Sequence, residues 1–148
     1  MSKLNKLPYE QFLKSFKFVP RIAICLLFKD SKGRLILSRR TIPPLKGYWH
    51  LPGSFLLKGE ELLDCIKRVA MEELNINIEE ASAKLLGVFE NLDKDPRGHV
   101  IDIVYECQIN NLSRLKLISK NIKFFKELPE NIGFGHEKII LFAHKKNI

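Results

Sequence analysis

Between Leu51 and Ile76 the chain reads LPGSFLLKGEELLDCIKRVAMEELNI, and this stretch constrains the fold more than any other. Pro52-Gly53-Ser54 is a turn signal, Lys58-Gly59 is a second, and no Gly or Pro then occurs until Gly87. Leu62, Ile66, Val69, Ala70 and Leu74 recur at helical spacing, so Glu60 to Leu74 is predicted to be an amphipathic helix with one face to bury. Glu60, Asp64, Arg68 and Glu72 fall on a second stripe, every fourth residue, where Arg68 can pair with Asp64 one turn back and Glu72 one turn on. Glu73 follows Val69 by one turn, at the edge of the apolar face. A loop closing on a helix with a carboxylate there suits a hard cation such as Mg2+, which takes oxygen ligands.

The flanking chain supplies strands. Arg21 to Lys29 reads as a buried strand, Asp30-Ser31-Lys32-Gly33 as a turn and Arg34 to Arg40 as the partner strand of a hairpin. Thr41 to Lys46, with Pro43-Pro44, is a loop that leads through Gly47-Tyr48-Trp49-His50 into the central stretch. Lys84 to Asn91 and His99 to Ile109 are two further strands around a polar turn, and Asn110 to Asn121 is a polar connection. Ile122 to Phe125 is a short strand, and Gly135 to Lys146 a final helix. Before all of these, Leu4 to Val19 carries Tyr9, Phe12, Leu13, Phe16 and Phe18 among lysines. It is predicted to form a short helix after Pro8, packed on the domain or, in a homodimer, on a second subunit. The periodicities by themselves define an α+β chain.

A length of 148 residues suits one core. The longest apolar run, Ile22 to Phe28, is too short to cross a bilayer, and MSKLNKLPYEQF carries no apolar signal segment, so a soluble cytoplasmic protein without a membrane partner is expected. Cys25, Cys65 and Cys107 lie far apart among apolar neighbours and read as buried thiols. The net charge of +8 suits a polyanion, free nucleotide or nucleic acid, but equally a solvated lysine-rich surface. No arginine-rich run, zinc-finger spacing or RNP-like motif is present, which disfavours nucleic acid.

The central stretch resembles the Nudix box, G-x5-E-x7-R-E-U-x-E-E-x-G-U, with Glu60, Arg68, Glu72 and Glu73 on its charged positions and Ala70 and Ile76 on its aliphatic ones. Ser54 stands for the first glycine, Val69 for the glutamate after the arginine and Asn75 for the last glycine. KGYWHLPG is similar to the GDP-mannose mannosyl hydrolase branch, and DPRGHVIDIVY and LPENIGFGHEKII to ADP-ribose pyrophosphatase-like members. The resemblance implies an α/β/α sandwich with a mixed, curled sheet over residues 20–148, preceded by a helical extension over 1–19. It implies hydrolysis, with Mg2+ or Mn2+, of a nucleoside diphosphate linked to another moiety, ADP-ribose or a nucleotide sugar. The physical need is charge neutralisation: a diphosphate repels an attacking oxygen, and metal ions offset that while acidifying bound water.

On the same basis Glu73, Glu72 and the Gly53 carbonyl are the implied metal ligands, and Arg68 and Glu60 hold loop and helix together within the catalytic unit. Ser54 is expected to strain a left-handed loop position, whereas Asn75 suits a left-handed helix cap. Val69 is expected to face the metal site without ligating, which leaves a binding module with little turnover as the alternative. Arg40, Lys46, Arg97 and His99 are candidate substrate contacts, and Tyr48, Trp49, Phe89 and Phe125 candidate platforms for a base. The late loop Leu117 to Lys123 offers no histidine or carboxylate, which leaves Glu90, Asp93, Asp95 and His99 as stand-ins for a general base.

Overall fold

A computed structural model describes residues 4–77, 81–109 and 120–146; the predicted connection from Asn110 and much of the late loop lie outside these. In chain order the described elements are α1 (Tyr9–Ser15), β1 (Arg21–Lys29), β2 (Leu35–Arg39), β3 (Trp49–His50), β4 (Gly53–Phe55), α2 (Leu62–Leu74), β5 (Ala81–Asn91), β6 (Val100–Ile109), β7 (Ile122–Phe125) and α3 (His136–Lys146).

β1 is the axis of a mixed sheet. It pairs in parallel with β6 along its whole length, from Arg21 opposite Val100 to Lys29 opposite Gln108. Its other edge is shared: β4 pairs antiparallel at Ala23 to Cys25, and β2 joins at Lys29. β3 and β7 extend β2, and β5 closes the far edge against β6. The hairpin turn forms as predicted. Asp30 accepts the backbone N–H groups of Lys32 and Arg34 and the Arg34 guanidinium, and Gly33 takes φ +76°.

Alternation along β1 sends its residues to two cores. Ala23, Cys25 and Leu27 join Leu35, Leu37, Trp49, Val100, Val104 and, from α3, Ile139, Ile140 and Ala143. Ile24, Leu26 and Phe28 join Ile36, Cys107 and, from α2, Cys65, Ile66, Val69, Ala70 and Leu74. Helices thus cover both faces of the sheet, which makes the α/β/α sandwich. All three cysteines are buried and free.

Three expectations are corrected. β3 and β4 are strands where the sequence suggested only a lead-in; each is too short to carry a period, and pairing with β2 and β1 makes them. The central helix starts at Leu62, because Glu60 is drawn into the preceding loop by the Leu57 N–H at 3.1 Å. Val69 does not face a metal site: at 0% exposure its methyl groups pack in the α2 core. Val69→Ala is therefore expected to cost about 2 kcal/mol through lost packing. The measurement is thermal unfolding, and an unchanged midpoint would place Val69 outside the core.

Candidate functional site

The loop-helix unit is assembled by Arg68. Its guanidinium donates to both oxygens of Glu60, at 2.8 and 3.0 Å, to the Phe55 carbonyl at 3.0 Å, to the Ser54 hydroxyl at 3.2 Å and to Glu72 at 3.3 Å. Asp64, the expected partner one turn back, is exposed instead, since the inner end of the guanidinium is taken by the loop. The hydrogen bonds from Arg68 hold the Glu60 carboxyl below its ordinary range, and those to Glu60 raise the Arg68 guanidinium. Ser54 is free of the expected strain. It lies in β4 opposite Ile24, and its hydroxyl accepts from Arg68. Gly53, beside it, has no room for a side chain: an added Cβ would lie 2.9 Å from the Ile24 carbonyl oxygen. Asn75 ends α2 in the left-handed conformation, φ 54°, with its N–H on the Met71 carbonyl.

This unit forms one wall of a cavity of about 240 Å³. Gly53, Ser54, Glu72 and Glu73 line that wall, Arg40 and Arg97 also line the cavity, and the buried Cys25, Asp102 and His136 form the floor. Glu73 is brought in by its position at the last turn of α2. Burial raises its carboxyl above the ordinary range, and its contact from the Ser38 hydroxyl is long, 3.5 Å. Glu72 is more open, 41% exposed, and paired with Arg68 and with Lys6 at 3.3 Å. A desolvated carboxylate so weakly matched, beside a second one, fits a hard divalent cation with oxygen ligands.

Two guanidiniums line the same cavity. Arg97 is held by Asp95 through two bonds, 2.9 and 2.8 Å, and lies 5.2 Å from the Phe55 ring and 5.5 Å from that of Phe134. Arg40 is anchored on the Pro43 and Pro44 carbonyls, and desolvation followed by the charge of Arg97 lowers its pKa. Two cations that disfavour each other in one cavity attract an anion.

The histidines at the floor are neutral. Burial pushes His50 down to about 4 and His136 down to about 3. His136 Nδ1 accepts the Leu51 N–H at 3.0 Å, so the ring proton sits on Nε2, 3.8 Å from Cys25 Sγ. The Cys25 thiol, which burial raises well above its ordinary pKa, donates to Asp102 at 3.7 Å. The donor atoms of Cys25, Asp102 and His136 lie within 4.8 Å of one another, a spacing that would suit a soft metal. A protonated Nε2 cannot ligate, and freeing it would turn a second N–H against Leu51, so the trio is a hydrogen-bonding cluster.

Burial raises Asp102 to about 6 from an ordinary 3.8, the charge of Asp95 adds to this, and Cys25 and Asn91 oppose it by hydrogen bonding; neutral His136 is the other neighbour. Between those values the folded chain holds a proton that the unfolded chain has released, so this group's contribution to stability falls as pH rises through that window. Asp102→Asn is expected to be more stable than the parent at pH 7.5, by on the order of 1–3 kcal/mol, and no more stable near pH 4. Urea unfolding at both values measures it; an equal difference at both would show that Asp102 keeps its ordinary pKa.

Of the other sequence candidates, Lys46 is exposed and does not line the cavity. His99 is half-buried outside it, with Nε2 buried and without a hydrogen-bond partner among the described residues. Asp95 lines the cavity but is committed to Arg97, and Glu90 and Asp93 are exposed outside it. Trp49 and Phe125 pack edge to face in the core, and Phe89 packs on Phe142. The residues that sequence reading missed are Lys6, Cys25, His50, Asn91, Asp102, Phe134 and His136. A signal existed for one of them: in VIDIVY the carboxylate of Asp102 sits at an inward position between Val100 and Val104.

The sandwich, the loop-helix unit and the shared cavity are those of a Nudix-type hydrolase. The NUDIX domain profile matches residues 19–129, and the chain belongs to that family. It is similar to the ADP-ribose pyrophosphatase of Methanocaldococcus jannaschii, 35% identical over 92% of this chain and 81% of that protein. It is also similar to the ADPR responsive transcriptional repressor NtrR of Acinetobacter baylyi, 31% identical over 82% of this chain but about half, 52%, of the regulator. The fold matches the NUDIX domain of Shewanella oneidensis NrtR, solved in complex with ADP ribose, with a TM-score of 0.68 at 20% identity over 96% of this chain and 100% of that one. Among the described residues no helix is long and apolar enough to cross a membrane.

Proposed function

We propose that this protein hydrolyses the diphosphate bond of ADP-ribose or a related nucleoside diphosphate sugar. The observation that carries the reading is the meeting of Glu72 and Glu73 with Arg40 and Arg97 in one cavity. Glu73 and Glu72 would hold a divalent cation, Mg2+ or Mn2+, which supplies charge neutralisation and a more acidic water. Arg40 and Arg97 bind the diphosphate oxygens, and the Asp95 clamp keeps the Arg97 guanidinium in place. Arg68 and Glu60 keep β4 and α2 in register so that the carboxylates stay on the cavity wall. The 35% identity to an ADP-ribose pyrophosphatase supports the choice of ADP-ribose over other nucleotide sugars.

A second reading, binding of the same ligand with little turnover, is favoured by Val69, an aliphatic core residue where the box carries a glutamate. Similarity to an ADPR-responsive regulator supports it as well. Incubation of the purified protein with ADP-ribose and Mg2+ or Mn2+ separates the two. Release of AMP and ribose 5-phosphate, with one water added across the P–O–P bond, is expected. Saturable binding without products favours the binding module, and no binding sinks both.

A further inference from the structure

We infer that the floor of the cavity, Asp102 with His136, is a subsite for the neutral, hydroxyl-bearing end of the ligand, a sugar rather than a second phosphate. The inference rests on the proposed function and names which part of the substrate enters deepest.

The chemistry of the floor selects for hydroxyls. Asp102 and His136 are almost fully buried, at 3% and 4% exposure, yet both line the cavity. Asp102 offers acceptor oxygens there. His136 offers one donor, Nε2–H, because the Leu51 N–H occupies Nδ1 and leaves no other tautomer. Across the cavity floor both meet the Cys25 thiol, a weak partner at 3.7 and 3.8 Å, and Asp102 is also hydrogen-bonded by the Asn91 side chain. Buried polar groups this loosely matched gain when a ligand supplies better partners. A sugar hydroxyl does both jobs, donating to Asp102 and accepting from His136, whose atoms lie within 4.8 Å. A diphosphate oxygen could accept from His136 but has no proton to donate to Asp102, whose carboxylate would repel it.

The surroundings keep this arrangement in place. Phe134, which lines the cavity just before His136, is held at φ 60°, a left-handed conformation unfavourable for a bulky side chain. The Asn91 side-chain amide donates to its carbonyl at 2.8 Å and so ties the start of α3 to β5. Arg40, Arg97, Glu72 and Glu73 line the same cavity, with both guanidiniums 5.5 Å from the Phe134 ring, and are proposed to take the diphosphate and its cation. The cavity thus joins guanidiniums and carboxylates for a metal-bound diphosphate to a buried acceptor and donor for a hydroxyl, which matches a molecule with a diphosphate followed by a sugar.

The test compares ADP-ribose with ADP, which has the diphosphate but lacks the terminal sugar. Binding is measured by calorimetry without added divalent cation, so that ADP-ribose is not turned over, for the parent, Asp102→Asn and Asp102→Ser, the serine variant serving if the amide perturbs the fold. Each variant is expected to lose about tenfold or more in affinity for ADP-ribose and less than twofold for ADP. Equal losses for both ligands, or no loss for either, would overturn the subsite while leaving the proposed activity standing. A parent that neither binds nor cleaves ADP-ribose would overturn the activity and the subsite together.

Discussion

Mg2+ or Mn2+ is expected to raise the melting temperature of the parent, and Glu73→Gln to abolish that rise and to lower hydrolysis by on the order of a hundredfold or more. Loss of partners that merely orient metal ligands costs about 10–100-fold, and a ligand itself lies at or beyond the top of that range. The substitution keeps the shape of the side chain and removes the charge that a hard cation needs. It also separates function from folding. Burial disfavours the ionised Glu73 carboxyl, so the metal-free variant should unfold no earlier than the parent. In the parent the raised pKa sets a proton against the cation for the same oxygens, so metal affinity should weaken as pH falls toward the carboxylate range. A metal-induced shift of full size in the variant would remove Glu73 from the ligand set.

Arg68→Ala carries the largest expected loss of stability, about 3 kcal/mol, because it strands a partner. Glu60 is 1% exposed at its side chain and receives two of the Arg68 bonds. Without them a buried carboxylate keeps only the Leu57 N–H and the weak Cys65 thiol, and the Phe55 carbonyl and Ser54 hydroxyl lose a donor. For a domain of this size the midpoint should fall by roughly 6–12 °C. Arg68→Ala with Glu60→Gln should recover part of the loss, because the stranded charge is then gone. A double variant as unstable as the sum of the two single ones would show that the pair acts independently, contrary to the geometry.

Much of the fold was legible because it rests on local period. The apolar stripe from Leu62 to Leu74, the alternation and apolar density of β1 and the Asp30–Gly33 turn each encode their own element. The spacing of Glu60, Arg68, Glu72 and Glu73 likewise located the loop-helix unit without knowledge of the sheet. Where the sequence misled, two positions a helical turn apart were assigned to one surface. Val69 and Glu73 share a helix face, but the packing of α2 buries the first in the core and leaves the second lining the cavity.

The floor of the cavity depended wholly on tertiary structure. Cys25, Asp102 and His136 are far apart in the chain and meet because β1 runs parallel to β6, which sets Ala23 opposite Asp102, and because α3 begins beneath both. Parallel pairing leaves no short-range mark, since its partners are joined by a long crossover instead of a turn. The chemical state of the floor is tertiary for the same reason. The tautomer of His136 is set by the N–H of Leu51, and the raised carboxyl of Asp102 by the water that packing excludes. A sequence specifies which groups are present and which local period they follow; which of them meet, and how dry the meeting place is, follows from the long-range packing of the sheet against its helices.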